Sequence, residues 1–445
     1  MTLPGNLLHP LKLDVVGFKE EDHDYHFRVE LPEPSCCQSC GAAEGRVVRF
    51  GKDDQAYRDV PIHNKRVTIW MIRRRYKCHE CGGTFRPELK DMDDRRMMTK
   101  RLVKHIEVAA VLGSNSEVAR TVAVDEKTVR LIFEDYYRAK DAAYKPKASR
   151  VLGIDELYLG RVYRAIFTNI TESTVIDLLP NRNKPTIVNF LSHLPNRKDI
   201  QIVCTDMWNP YREATQAVLP HASLVVDKFH ITRMANESME VVRKGLKSSL
   251  TAPQRRTLKG DRKALLTRKH DLKDWQHLTM ETWLNAFPEL KTAYDLKEGF
   301  YGVWDASCDK DARERYARWK AGIPADQRAV WEPLTKAMEN WQNEIFAYFK
   351  PGHQFTNAFT ESSNRGIKTK QRDARGMKFE SYRAKILFAQ EHKVVKPKPR
   401  KQSPFEGGMG RMTYYTMATD FDFEEPSDYG VPISTVMRLI ESGEL

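Results

Sequence analysis

Residues 151–180 read VLGIDELYLGRVYRAIFTNITESTVIDLLP, three apolar and β-branched runs with turn-like breaks between them. Such runs predict a three-stranded meander. Downstream the pattern alternates: a helical KPTIVNFLSHL, a strand DIQIVCTDM (199–207), a helical WNPYREATQAVL and a strand SLVVDKFHI. Three strands in series followed by alternating helix and strand predict a mixed α/β sheet. Two aspartates within these strands matter most. Asp155 lies inside the first, where strand alternation sends it and Glu156 to opposite faces, and Asp206 ends the fourth. A carboxylate is costly to bury unless something positive pairs with it. Two on neighbouring strands make a seat for a divalent cation, magnesium or manganese, because hard oxygen donors suit those ions.

A third donor is expected on a helix. In NAFTESSNRGIKTKQRDARG (357–376), Asn357, Glu361, Asn364, Lys368, Arg372 and Arg375 recur at helical spacing on one face. Glu361 then has an amide on either side and cations further along the stripe. Carboxylates hold metal and cations hold phosphate, as phosphodiester chemistry requires. Asp227 and His230, in VVDKFHI, are read as ending a strand, where assistance to the metal or binding of DNA stands equally against a structural hydrogen-bonding role.

Five of the seven cysteines fall in the first 81 residues. Cys37-Gln-Ser-Cys40-Gly and Cys78-His-Glu-Cys81-Gly form two CxxC knuckles, which together predict a closed, structural tetrahedral zinc site. VTIWMIRRRYKC (67–78) reads as the strand leading into the second knuckle. Beyond it, Thr99 and Gly113 bracket one helix, Ser116 caps a short second and Asp125 caps a third. SEVARTVAVDEKTVRLIFEDYY therefore has the order of a helix-turn-helix, with Val118, Val122, Val129, Ile132 and Phe133 packing the pair together. Lys127 and Arg130 lie on its open face and Thr128 at the edge, where a recognition helix reaches base edges. Between 233 and 350 strand signals vanish. That stretch, with six of the eight tryptophans, is expected to be an all-α insertion whose tryptophans are mostly core.

The net charge of +13 favours a polyanionic partner. No apolar run is long enough to span a membrane, and the first residues lack the pattern of a secretory signal. The expected location is the cytoplasm, associated with the bacterial nucleoid.

The order of zinc knuckle, helix-turn-helix, GIDE at Asp155, CTDMWNPY at Asp206, VVDKFHITR, and the Glu361 stretch resembles the insertion-sequence transposases of the ISL-three type. The resemblance covers roughly residues 35–390. It implies a multidomain α+β protein with a ribonuclease-H-like catalytic core, in which Asp155, Asp206 and Glu361 form a DDE triad holding two Mg2+ or Mn2+ about 3.5–4 Å apart. It also implies double-stranded DNA as partner, both terminal inverted repeats and target, with Asn364, Lys368, Lys370, Arg372 and Arg375 near the scissile backbone. Pairing of two DNA ends calls for a homodimer or higher oligomer. Expected boundaries are a zinc module (1–92), helix-turn-helix (93–145), first part of the core (146–232), insertion (233–350), last part of the core (351–392), and a linker with an acidic tail (393–445). The competing readings are a DNA-binding regulator without catalysis and a ribonuclease-H-like nuclease without strand transfer. Glycine often follows the asparagine of the family's third motif; here Ala358 stands in that place.

Overall fold

The computed structural model describes residues 13–147, 149–373 and 376–392; Arg375, the basic linker and the acidic tail lie outside them. The N-terminal sheet comprises β1 (Asp14–Glu20), β2 (Asp24–Glu30), β3 (Val47–Ile62), β4 (Lys65–Cys78), β5 (Thr84–Phe85), β6 (Met92–Asp93) and β7 (Met98–Thr99), in the order β1-β2-β4-β3-β7-β6 with β5 against β4. Val67, Ile69 and Met71 alternate along β4 and pack with Phe27, Val29 and Tyr57, so the apolar face of the strand closes a small core.

Three helices follow, α1 (Lys100–Leu112), α2 (Asn115–Val122) and α3 (Glu126–Ala143). The Thr99 hydroxyl accepts from the Leu102 N–H and donates to Asp59 of β3 at 2.6 Å, tying the first turn of α1 to the sheet. Asp125 caps α3 as expected. The cap of α2 is Ser114, two residues earlier than the sequence pattern suggests. Val118, Val122, Val129, Ile132 and Phe133 are all buried in one cluster.

The second sheet has β8 (Val151–Leu159), β9 (Val162–Asn169), β10 (Thr174–Leu178), β11 (Ile202–Thr205) and β12 (Ser223–Val226), in the order β10-β9-β8-β11-β12. The meander is antiparallel; β11 runs parallel to both β8 and β12. Helices α4 (Lys184–His193) and α5 (Asn209–Val218) form the crossovers. Leu152, Ile154 and Val203 send side chains into the face these helices cover. The strand expected through SLVVDKFHI stops at Val226. Asp227 instead caps α6 (Lys228–Gly245) by accepting the Phe229 N–H at 3.0 Å, so His230 rides on the first turn of a helix.

Helices α7 (Ala252–Gly260), α8 (Arg262–Leu266), α9 (Asp274–Ala286), α10 (Pro288–Tyr301), α11 (Asp309–Ala321), α12 (Arg328–Asn340) and α13 (Gln342–Phe346) complete the helical region. Its core is continuous with that beneath α4 and α5. Trp319, Trp331 and Trp341 are buried there and Trp283 and Trp304 pack against it, whereas Trp275 is exposed.

Last come α14 (Ala358–Asp373) and α15 (Phe379–Phe388). Helix α15 lies between the second sheet and the three helices α1–α3. Its Arg383 donates to Asp177 of β10 at 2.6 and 2.9 Å and to Asp141 of α3 at 2.8 Å. Its buried Lys385 donates to the carbonyls of Ala110 and Gly113 and, at 3.3 Å, to Asn115 Oδ1. Ala384, Leu387 and Phe388 enter the core of α1–α3, while Tyr382 and Ile386 pack under the sheet.

Candidate catalytic and metal centres

The parallel register of β8 and β11 pairs Gly153 with Cys204. Two residues further along the chain from this pair stand Asp155, inside β8, and Asp206, just past the end of β11, close enough for the charge of one to act on the other. Glu156 points the other way and pairs with Arg182. Helix α14 covers the Asp155 face and supplies Glu361. It comes close because β8 has no side chain at Gly153. A Cβ there would stand 2.5 Å from Thr360 Oγ1 and 2.8 Å from Asn357 Oδ1, and closer still to Thr168 Oγ1. In the space left, the buried Thr168 and Thr360 hydroxyls share a hydrogen bond of 2.6 Å. Asn357 Nδ2 donates to the Ile154 carbonyl at 3.1 Å, and Asn364 Nδ2 donates to Asp155 Oδ2 at 2.8 Å.

Asp155 is buried, and its carboxyl is pushed up to about 8 by burial first, then by the charges of Asp206, Glu361 and Asp227. Burial also raises Asp206, against the opposing pull of His230, the Thr205 hydroxyl and Arg182. Four acids thus converge with too little positive charge among them. The donor set suits a hard divalent cation. Asn364 Oδ1 and His230 Nδ1 are buried without a hydrogen-bond partner, two further ligand-type atoms beside the acids.

Asp227, His230 and Glu361 bring ligand atoms within 4.8 Å of one another. The two oxygens of Asp227 are already engaged, one by the Phe229 N–H and the other by the Asn357 N–H at 3.1 Å. Asp227 therefore pins the start of α6 to the start of α14. A visible signal preceded it: aspartate followed by Ile231, Ala235 and Met239 at helical spacing is an N-cap pattern.

The described cations of α14, namely Lys368, Lys370 and Arg372, are exposed. On α3, Lys127 and Arg130 are exposed and Thr128 is half-buried.

In the N-terminal region Cys37, Cys40, Cys78 and Cys81 bring their sulfurs within 4.8 Å of one another. Cys37 Sγ lies 3.8 Å from Cys81 Sγ, and Cys40 Sγ lies 3.7 Å from Cys78 Sγ. Zn–S bonds of about 2.3 Å in a tetrahedron require sulfurs about 3.8 Å apart, so the cage has the size of a zinc site. The backbone N–H groups of Cys40 and Ser39 hold the Cys37 thiol down at about 6, while burial and the neighbouring sulfurs push the Cys40 thiol up, so the first negative charge of the cage settles on Cys37. Cys36 is exposed and outside the cage.

A cysteine zinc module followed by a mixed sheet with an acidic centre is the arrangement of a DNA-processing protein of the insertion-sequence kind, and comparison with known proteins agrees. Residues 152–386 match the model of the ISL3-type DDE family, described as "Transposase". Residues 33–81 match the "zinc-finger of transposase IS204/IS1001/IS1096/IS1165". The chain belongs to the ISL3 transposase family. It is 26% identical over 355 residues to the transposase for insertion sequence element IS1001 of Bordetella parapertussis, covering 78% of this chain and 86% of that protein.

Proposed function

We propose that the chain binds the terminal inverted repeats of its own insertion sequence, cuts the DNA at their ends and joins them to target DNA. The observation that carries this reading is the buried acidic centre, where Asp155 is driven up to about 8 by burial and by Asp206, Glu361 and Asp227. In this reading Asp155, Asp206 and Glu361 hold two Mg2+ or Mn2+ ions. Bound there, such ions activate the attacking hydroxyl and stabilise the leaving oxygen of an in-line displacement.

The chain's own residues do the rest. Asn364 holds Asp155 by its Oδ2 and so fixes the direction of the carboxylate. The Asn357 and Thr360 contacts seat α14 and thereby Glu361. Lys368, Lys370 and Arg372, with Arg375 beyond the described residues, neutralise the DNA backbone leading to the centre. Strand order and direction in the second sheet support a ribonuclease-H-like core. The α2–α3 pair, with Lys127, Thr128 and Arg130 at the start of α3, supports a helix-turn-helix that reads the repeat. The zinc module stiffens the preceding sheet. The domain limits given above, and a dimer or higher oligomer that pairs two ends, belong to the same reading.

The test uses purified full-length protein and labelled DNA carrying the inverted repeats that flank the gene. Asp155→Asn, Asp206→Asn and Glu361→Gln should each lower metal-dependent cutting by about a thousandfold or more while repeat binding persists. Wild-type-like cutting by any one of them would refute the triad. Cutting without joined products would favour the nuclease reading.

A further inference from the structure

On the sheet face opposite Asp155, four planar side chains form a ladder. Tyr158 and Tyr163, cross-strand partners in the β8–β9 hairpin, lie 4.8 Å apart between ring centres. The Arg182 guanidinium comes next, 4.2 Å from the Tyr163 ring and 4.2 Å from the ring of Trp208. Glu156 holds the guanidinium from the side. The rungs come from β8, β9, the segment before α4 and the turn before α5, and so gather from four separate stretches of chain.

The ladder is open to solvent: Tyr158 is 49% exposed, Tyr163 46% and Trp208 37%. Water-exposed aromatic faces are costly to maintain, and a planar cation backing them makes a surface suited to another π-system with negative charge attached. Core packing does not account for it, since these rings lie outside every buried cluster. Its position is equally informative. Trp208 stands two residues after Asp206, and Arg182 is close enough to draw the Asp206 carboxyl downward.

We infer that the outward face of Trp208, backed by Arg182 and Tyr163, is a stacking site for an unpaired nucleobase of the DNA end held at the acidic centre. The inference rests on the DNA-processing reading above. A base left unpaired near the cut loses its stacking neighbours, and a ready aromatic surface offsets that loss. The chemistry selects any base, because each offers a π-face, and the attached phosphates meet the basic surface of the chain.

Binding can be followed by anisotropy with metal withheld, on three labelled probes: a blunt duplex, the same duplex with an unpaired oligo(dA) tail, and the duplex with an abasic tail of equal length. The wild-type chain should prefer the oligo(dA) tail to the abasic one. Trp208→Ala should weaken binding of the oligo(dA) probe by about five- to a hundredfold and leave the other two unchanged; Trp208→Phe should restore most of the loss. Tyr163→Leu, which frees one side of Arg182, should lose a smaller factor on the same probe. Unaltered zinc content and melting temperature certify the fold of each variant. Equal affinity of the wild type for the two tails, or an equal loss on all three probes, would overturn the stacking site. Metal-dependent cutting by that same wild type would leave the reading of the acidic centre standing. A base preference that depends on Trp208, in a protein that never cuts, would support the stacking site and reject that reading instead.

Discussion

Asp155 carries one of the large electrostatic shifts among the described residues. Its carboxyl moves from about 3.8 in an unfolded chain to about 8 in the fold, with burial as the largest cause. Between those values the folded metal-free protein holds a proton that the unfolded chain has lost. Stability from this group is therefore complete below about pH 4 and declines as pH rises through about 8. Metal-free protein should melt at lower temperature near pH 9 than near pH 6, by the equivalent of about 2–3 kcal/mol. Adding Mg2+ or Mn2+ at the higher pH should recover the loss. Asp155→Asn should flatten both responses in calorimetry; a variant that keeps the wild-type slope would show that another group is responsible. At this scale the sequence was informative because residue type and strand phase suffice: an aspartate in an apolar strand must face somewhere. It was silent on Arg182 and Trp208, whose meeting depends on a crossover between strands.

Helix α14 owes its position to an absence. Gly153 lacks a side chain where Thr360 and Asn357 press in, so a single methyl would lift the helix that bears Glu361. Gly153→Ala should cost about 1–3 kcal/mol of stability. A shift of about 1 Å in Glu361 would further lower cutting by about a hundredfold, with zinc content unchanged. A Gly153→Ala protein of normal melting temperature and normal cutting would mean that the helix is held elsewhere. Elements were largely legible from periodicity and caps: Thr99, Gly113 and Asp125 mark helix ends as expected. The exceptions are instructive. Ser114 and Ser116 are equally able caps by type; the choice falls on Ser114 while the neighbouring Asn115 is buried and bonded to Lys385 from a distant helix. VVDKFHI looked like one strand because Val225 and Val226 are β-branched, yet the aspartate that follows caps a helix. Local pattern could not weigh a cap against two valines until the pairing with β11 ended at Val226.

Over the whole molecule, the order of modules along the chain was readable, since zinc knuckles, helices and acidic strands each leave a local mark. Their mutual arrangement was not, because α15 joins them through contacts more than 200 positions apart in sequence, such as Arg383 with Asp177 and Asp141. The helical region α7–α13 likewise shares a core with the second sheet, so it braces the acidic centre from behind.

The clasp made by α15 has a metrical consequence. With Arg383 and Lys385 fastening α1 and α3 to the sheet that carries Asp155, the surface proposed to read DNA and the centre proposed to cut it stand at a fixed separation. Such a protein works as a ruler. One base pair inserted between the bound segment of the repeat and its end adds roughly 3.4 Å along the duplex. The cut should then stay at constant distance from the bound segment and miss the original junction by one nucleotide, as sequencing of the cleaved ends would reveal. A cut that followed the junction sequence would mean the two parts move independently. On this account the boundary of the mobile element is measured out as a length, and the nucleotides at the cut need not spell it.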